Sequence, residues 1–301
     1  MLSRTASNLY WMARYLERAE STVRLLAACF RPGLPFDGEI TKLYALPLQI
    51  QGVYEEFEEV FGDVVTFENV VQFLISSNSR ASVRSCLEAA RENARSERSR
   101  LSSEVWESIN QTWLEFQEMQ YRSLNVFTDW LKQRLFVFQG AVQITMPVAL
   151  SVKFISLGTF IESADQTLRV LEAKGVLRSL SNQSDYYHWH MLLKSVSSFE
   201  AFQENSAASP SQDSVFEFLL FNPTLPRSVR YCISQVENLL ASLGVETRIA
   251  PLKSTANLLV KLRFDNMNDI LECGQNEYIQ NLQDEVLQLG EAINEGYFTI
   301  T

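Results

Sequence analysis

Histidine is scarce in this chain, with 2 residues in 301, and glycine and proline number only 11 and 8. Sheet-rich folds need turn residues every few positions, so this shortage points to helices. Cysteine occurs four times, at Cys29, Cys86, Cys232 and Cys273, with no C-x-x-C spacing. These four read as reduced core thiols rather than a disulfide framework. Basic residues are fewer than acidic ones, 26 against 36, for a net charge of −10. That balance excludes a general nucleic-acid binder, whose affinity rests on Lys and Arg neutralising phosphates. No G-x-x-x-x-G-K-[ST], G-x-G-x-x-G or G-x-S-x-G is present, so the common nucleotide loops and the serine-hydrolase elbow are absent. No Glu-x-x-His pair exists, which excludes a di-iron carboxylate bundle. His188 and His190 lie at i, i+2 and point apart on a helix, and Asp185-x-x-His188 is a stray match without a second ligand pair. The reading is therefore no metal and no cofactor.

A long uninterrupted apolar run is also missing. Leu135 to Val152 holds 18 residues without a formal charge, close to the minimum for a membrane span. It contains Gln139, Gly140, Gln143, Thr145 and Pro147, which would strand polar groups in lipid and break a helix. It reads as a buried helix end, a turn near Thr145 to Pro147, and the start of the next buried helix. Arg14, Glu17 and Arg18 interrupt the apolar stretch that a secretory signal would need. These readings place the protein in the cytoplasm, with no membrane attachment.

What is present is helical periodicity. Hydrophobic residues make up 46% and charged residues 21% of the chain, enough apolar surface for a full core. In Leu9–Leu26, the residues Leu9, Met12, Tyr15, Leu16, Ala19, Val23 and Leu26 fall on one face, with Ser3 or Thr5 as caps and Arg31-Pro32-Gly33 as the terminator. A loop carrying Pro35, Gly38 and Pro47 is expected next. Helical patterns follow over Leu48–Phe61, Phe67–Ile75, Ala81–Arg100 and Glu104–Trp130. Further patterns run from Val148 to Ala173, with Gly175 beyond, and over Trp189–Gln203, Arg227–Leu243, Leu252–Phe264 and Glu277–Tyr297. Ser181–Asp185 and Asn205–Asp213 read as loops, and Asn222-Pro223-Thr224-Leu225-Pro226 as a stiff turn with Asn222 forming an Asx-turn and Thr224 as cap. The expected fold is all-α, one multi-helix bundle over residues 1–301 with two loosely similar halves, 1–145 and 146–301. The halves rest on an ungapped match of Leu9–Leu26 to Phe154–Leu171, with Glu17/Glu162, Ala19/Ala164, Thr22/Thr167, Arg24/Arg169 and Leu26/Leu171 identical.

Two helices carry charged stripes. Tyr10, Arg14, Glu17, Ser21 and Arg24 share a face of the first, flanked by Arg18 and Glu20. Arg84, Glu88, Arg91, Arg95 and Arg98 repeat the spacing on a second, beside Glu92 and Asn93. Arginine's planar fork grips carboxylate or phosphate bidentately, so the stripes can be an anion site, a solvated face of local ion pairs, or a buried Arg–Glu network. Arg227 and Arg230 stand near a helix N-terminus, where a cation is disfavoured unless an anion or acidic side chain pairs with it. Thr159 and Ser163 stand in the second copy where the first has Arg14 and Arg18, so any site is asymmetric.

Several words in order, LSRTASNLYWMARYLERAESTVRLL, AARENARSERSRLSSEVWESIN, WHMLLKSVSSFEAF, EFLLFNPTLPRSVRYC and LQLGEAINEGYF, span residues 2 to 298 and resemble the bacterial alpha-E family. Its Glu-Arg motif corresponds to Glu17-Arg18. The resemblance implies an all-helical protein encoded beside a circularly permuted ATP-grasp protein, often with a transglutaminase-like protease. Its characteristic polar residues match Arg14, Glu17, Arg18, Glu20, Arg24, Arg91, Glu92, Asn93, Arg95, Glu104, Trp106, Pro226, Arg227 and Ser228. The chain departs from the family at Thr159, at Glu162-Ser163 and at Phe202-Gln203. The resemblance implies an accessory subunit of a peptide-ligase system, its partner an ATP-grasp-type ligase and a transglutaminase-like protein, its ligand a peptide or anion. Two alternatives stand beside it. One is an enzyme of amide-bond formation, in which the Glu17/Arg18 and Arg91/Glu92 faces converge on a pocket with Glu17 or Glu92 as general base. The other is a structural homo-oligomer.

Overall fold

The computed structural model describes residues 2–30, 40–173, 185–205, 209–244 and 249–299. Among these the chain is entirely helical apart from turns and loops, with no strand. Expectations for Arg31-Pro32-Gly33, Pro35, Gly38, Gly175, residues 181–184 and residues 206–208 lie outside the described residues. The first half comprises α1 (Ser3–Cys29), α2 (Ile40–Gln51), α3 (Tyr54–Phe61), α4 (Phe67–Ser76), α5 (Val83–Ser96), α6 (Ser103–Met119) and α7 (Leu124–Thr145). The second comprises α8 (Leu150–Glu172), α9 (Asp185–Ser195), α10 (Phe199–Asn205), α11 (Gln212–Phe221), α12 (Val229–Ser242), α13 (Ile249–Phe264), α14 (Met267–Cys273) and α15 (Gln275–Tyr297).

The centre of the molecule is the pair α1 and α8. Both are apolar on more than one face: α1 buries Leu9, Met12, Leu16, Ala19, Val23 and Leu26 as its pattern predicts, and also Tyr10, Ala13 and Leu25 on other faces. A helix buried all round is a core helix, with neighbours on each side. Helices α5, α7 and α9 pack on α1, α12 packs on α8, and α15 touches both. One continuous cluster of buried apolar side chains runs from Ala6 to Tyr297. The two helices run parallel and in step, because Gly158 meets Tyr10, Ser163 meets Glu17, and Thr167 and Val170 lie near Ser21 and Leu25. Gly158 permits this approach: a Cβ there would stand 2.2 Å from the Tyr10 carbonyl oxygen.

The internal similarity extends to bonding. Arg24 bonds Glu20 one turn back at 2.7 Å, and its counterpart Arg169 bonds Asp165 in the same way at 2.8 Å. Thr22 Oγ1 donates to the Ala81 carbonyl, and Thr167 Oγ1 to that of Arg227. Each carbonyl precedes a serine N-cap, Ser82 of α5 and Ser228 of α12. Those caps open matching words, Ser82-Val83-Arg84-Ser85-Cys86 and Ser228-Val229-Arg230-Tyr231-Cys232, and each cysteine thiol donates to the carbonyl six residues earlier. The pair α1–α5 is thus repeated by α8–α12.

Several boundaries differ from the sequence pattern. Residues 40–51 form α2 with Pro47 inside it rather than a loop, because Leu43, Leu46, Leu48 and Ile50 bury against the core. Tertiary burial there outweighs the cost of a mid-helix proline. Helices α11 and α14 are additional, each started by a capping box. The stretch Glu104–Trp130 is two helices, α6 and α7, parted at residues 120–123. Helix α1 has Leu2 at its N-cap with no side-chain cap, and Ser228 rather than Thr224 caps α12. Asp185 and His188 lie on α9, not in a loop. Cys273 is exposed, so only Cys29, Cys86 and Cys232 are core thiols.

The charge-free run does turn at residues 146–149, but it is not buried throughout. Helix α7 seats Leu131, Leu135, Phe138 and Val142 on the core, while its Phe136, Val137 and Ile144, and Val148 in the turn that follows, stay exposed. No helix among the described residues is long and apolar enough to cross a membrane.

Two glycines test this packing. Gly158→Ala is expected to push α1 from α8 and cost about 1–3 kcal/mol or more by urea denaturation. Gly140→Ala, where a Cβ meets nothing within 4 Å, is expected to stabilise by up to about 1 kcal/mol. Equal effects would contradict the close parallel approach.

Candidate functional site

The α1 stripe faces inward, onto α8 and the start of α12. Spacing by one turn puts Arg14 and Arg18 above one another, and both grip Glu162, which is fully buried on α8. Arg14 Nε donates to Oε2 at 2.8 Å, Arg18 Nε to Oε1 at 2.7 Å, and Arg18 also donates to Oε2 at 2.9 Å. Gln166, itself bonded to Gln51, adds a fourth donor at 3.1 Å. Burial alone would raise the Glu162 carboxyl, but Arg14 and Arg18 outweigh it and hold the group down at about 2. The arginines lie over aromatic rings, Arg14 at 4.9 Å from the Trp11 centroid and Arg18 at 6.0 Å from Tyr15.

Glu17 and Glu20 lie one turn apart and share Arg227. Its two terminal nitrogens donate to Glu17 Oε1 at 2.6 Å and to Glu20 Oε1 at 3.1 Å. The turn before α12 aims this side chain. Asn222 Oδ1 accepts from the backbone N–H groups of Thr224 and Leu225, Ser228 Oγ donates to the Asn222 carbonyl, and Thr167 holds the Arg227 carbonyl. The cation beside a helix N-terminus thus has its acidic partners, which removes the dipole penalty. Ser163 donates to Glu17 Oε1 at 2.9 Å. Burial pushes the Glu17 carboxyl up, Arg227 opposes it, and nearby Glu20 adds to the rise; the net direction is upward. Arg24 completes the row with bonds to Glu20 and to Ser197 Oγ. Ser197 has φ +55°, the one non-glycine residue with positive φ among the described residues, so the backbone between α9 and α10 is strained at this contact.

A cleft of about 400 Å³ opens over Glu17, Glu20, Arg24 and Arg227. Its walls are Phe136, Phe138 and Val142 of α7 and Ile155 and Phe160 of α8, with Thr159 and Ser163 beside the floor. Arg24 separates it from a second cleft of about 390 Å³ lined by Lys132, His190 and Lys194.

The second stripe does not join this site. Arg84, Glu88 and Arg98 are exposed on α5 and the turn after it. Arg91 bonds Asn110 of α6 and Glu92, and Arg95 bonds Glu92 at 2.9 Å; Asn93 is half-buried alongside. Of the candidate residues, then, Arg14, Glu17, Arg18, Glu20, Arg24 and Arg227 come together, while Arg91, Glu92, Asn93 and Arg95 form a separate face. A pocket built from Glu17/Arg18 and Arg91/Glu92 together is not what the fold makes, because α5 turns the latter outward. Glu104 is exposed in the first turn of α6 and Trp106 half-buried, with Arg98 over its ring. Glu162, the carboxylate that receives most donors, stands out in the sequence as the partner of Glu17 in the repeat and as part of the Glu162-Ser163 departure from the family, not as a site residue. Among the described residues no group of three or more His, Cys, Asp or Glu side chains is placed to hold a metal ion.

The model of the Alpha-E family, described as a predicted alpha-helical domain with a conserved ER motif, matches residues 1–298, and the chain belongs to that family. No curated protein and no solved structure matches it significantly. In this chain Glu17 and Arg18 face different partners, Arg227 and Glu162.

Glu162→Gln takes the charged partner from two half-buried arginines and is expected to cost about 3 kcal/mol at pH 7. Glu17→Gln keeps an oxygen that can accept from Ser163 and Arg227, and Arg227 retains Glu20, so this change is expected to cost only about 1 kcal/mol. The pH dependence has a definite sign. Glu162 stays ionised in the folded protein to about pH 2, below its unfolded value near 4.3. Its stabilisation is therefore present above that value and lost as pH falls from about 4 towards 2. Urea denaturation of both variants across that range checks this; equal losses would refute the asymmetry.

Proposed function

We propose that this Alpha-E protein is a non-catalytic helical subunit that docks an ATP-grasp-type ligase and holds a peptide or other small ligand in the α1–α7–α8 cleft. The observation that carries this reading is the complete hydrogen bonding of Glu162, the most buried carboxylate of the cluster. Glu162 accepts four hydrogen bonds and is held at about 2, so it is not a general base at neutral pH. The arginines at the floor are likewise engaged with glutamates, which suits recognition and rigidity more than turnover. No activated nucleophile lies beside them: burial pushes the Cys86 and Cys232 thiols up to about 12.

The docking half of the reading is supported by α7. Phe136 lines the cleft, Val137 and Ile144 of the same helix are exposed, and so are Val148 and Leu150 just beyond its end. An apolar surface of this kind marks an interaction face. The identity of the partner rests on the resemblance to a family found beside ATP-grasp proteins, and a transglutaminase-like protein is the second expected partner. One observation favours an enzyme instead: Glu17 lines the cleft with a raised carboxyl, a state suited to a general acid.

Capture from the native host with the tagged full chain, at low salt and read by mass spectrometry, separates these readings. Wild type is expected to recover an ATP-grasp protein, and Ile144→Glu with Val148→Glu to lose it by at least tenfold without a change in melting temperature. Recovery of this chain alone would overturn the docking reading and favour the homo-oligomer. Activity of the isolated chain on peptide substrates, abolished by Glu17→Gln, would favour the enzyme.

A further inference from the structure

The two copies of the central helix treat equivalent carboxylates differently. Glu162 on α8 and Glu17 on α1 occupy the same position of the repeat. Glu162 is served by Arg14 and Arg18 of the opposite copy, and with Gln166 both its oxygens are filled. By the same geometry Glu17 would be served by residues 159 and 163 of α8, which are Thr159 and Ser163. Ser163 supplies one hydrogen bond, and Arg227 arrives from elsewhere to supply another, both to Oε1. Glu17 Oε2 accepts nothing from the protein, and neither does Glu20 Oε2, since all three donors to Glu20 reach its Oε1. Both residues are buried to 3% exposure or less, yet neither second oxygen is walled off from solvent.

Thr159 makes only a bond to its own helix, to the Ile155 carbonyl, and it lines the cleft. The space that an arginine would fill at that position is therefore open, beside two carboxylate oxygens that take no hydrogen bond from the protein. A carboxylate oxygen that faces a cleft and has no protein donor keeps its lone pairs available to a ligand. The group that restores the symmetric arrangement is a cation bearing N–H donors. The surrounding side chains, Phe136, Phe138, Val142, Ile155 and Phe160, require an apolar body behind that cation.

We infer that the cleft binds an organic cation, an ammonium or guanidinium group on an apolar stem, in the place left by the missing α8 arginine, with Glu17 Oε2 and Glu20 Oε2 as its acceptors. This deepens the reading of the cleft as a ligand site by naming the charge it takes. A peptide N-terminus and a basic side chain carry the same chemistry, and the two are told apart by which head group binds more tightly. The ligand is thus cationic where it meets the floor, opposite in sign to the anion expected from counting arginines.

Titration calorimetry on the full-length chain tests this with four probes sharing one apolar body: 2-phenylethylamine, 2-phenylethylguanidine, 2-phenylethanol and 3-phenylpropanoate. At least one of the two cations is expected to bind at least tenfold more tightly than the alcohol and the acid. The amine binding better would indicate an N-terminus, the guanidine a basic side chain. Thr159→Arg supplies the arginine in cis. It is expected to raise the melting temperature and to lower cation binding by at least tenfold. Thr159→Phe fills the cleft without adding charge and is expected to abolish binding of all four while circular dichroism stays helical. Equal binding of all four probes, absence of cation binding to wild type, or undiminished binding to a folded Thr159→Arg would each overturn the inference. None of these outcomes bears on capture of a ligase through α7, so failure here and failure of the docking reading are distinguishable.

Discussion

A single carboxylate, Glu162, sits at zero exposure between the two central helices, and the rest of the fold is arranged around keeping it charged. An unpaired ion at that depth would cost several kcal/mol. Two arginines from α1 and one glutamine from its own helix supply four hydrogen bonds. Those bonds form only if α1 and α8 run parallel, in step, and close enough that Gly158 touches the Tyr10 carbonyl. Helix α5 packs on α1 and α12 on α8, and Arg227 at the start of α12 reaches both Glu17 and Glu20. A buried network of this kind contributes less to net stability than an apolar core of the same volume would, and more to a defined register.

The second feature is how the near-symmetry of α1–α5 and α8–α12 fails. Threonine-to-carbonyl bonds, serine caps, cysteine thiols and acid–arginine turns recur in both copies. The arginine clamp does not. Where α1 has Arg14 and Arg18, α8 has Thr159 and Ser163, and Arg227 covers only part of the loss. Four arginines still meet three glutamates in the cluster, so the site stays near neutrality, while one side of it is solid and the other opens into a cleft. Asymmetry of this sort turns a structural lock into a place where a ligand can take the missing role.

Much of the architecture was legible in the sequence. The apolar period of Leu9–Leu26 and the turn at residues 146–149 are local signals, and local signals survive folding. Helix α2 was hidden by Pro47, whose intrinsic cost is overridden only by burial of neighbours distant in sequence. The gap between α6 and α7 was hidden because apolar spacing continues across residues 120–123. For the site, the α1 stripe was visible but not its destination: spacing alone does not separate an anion site, a solvated face and a buried network. Arg227 stood out as a cation needing an acidic partner, which Glu17 and Glu20 turned out to be. Glu162 was visible only through the repeat, and the repeated Ser-Val-Arg-x-Cys word would have strengthened that clue. The α5 stripe had the same spacing as that on α1, yet it meets solvent because the core lies on its other side.

The central claim is that Glu162 and the α1 arginines form one coupled, buried unit that sets the register of the two helices. A double-mutant cycle between Arg18 and Glu162, read by urea denaturation at pH 7, tests it most directly. Arg18→Gln, Glu162→Gln and the double variant are expected to give a coupling energy of about 2–3 kcal/mol, in the upper part of the range for contacting residues. A coupling below about 0.5 kcal/mol, the level expected of independent or solvent-screened sites, would contradict the account.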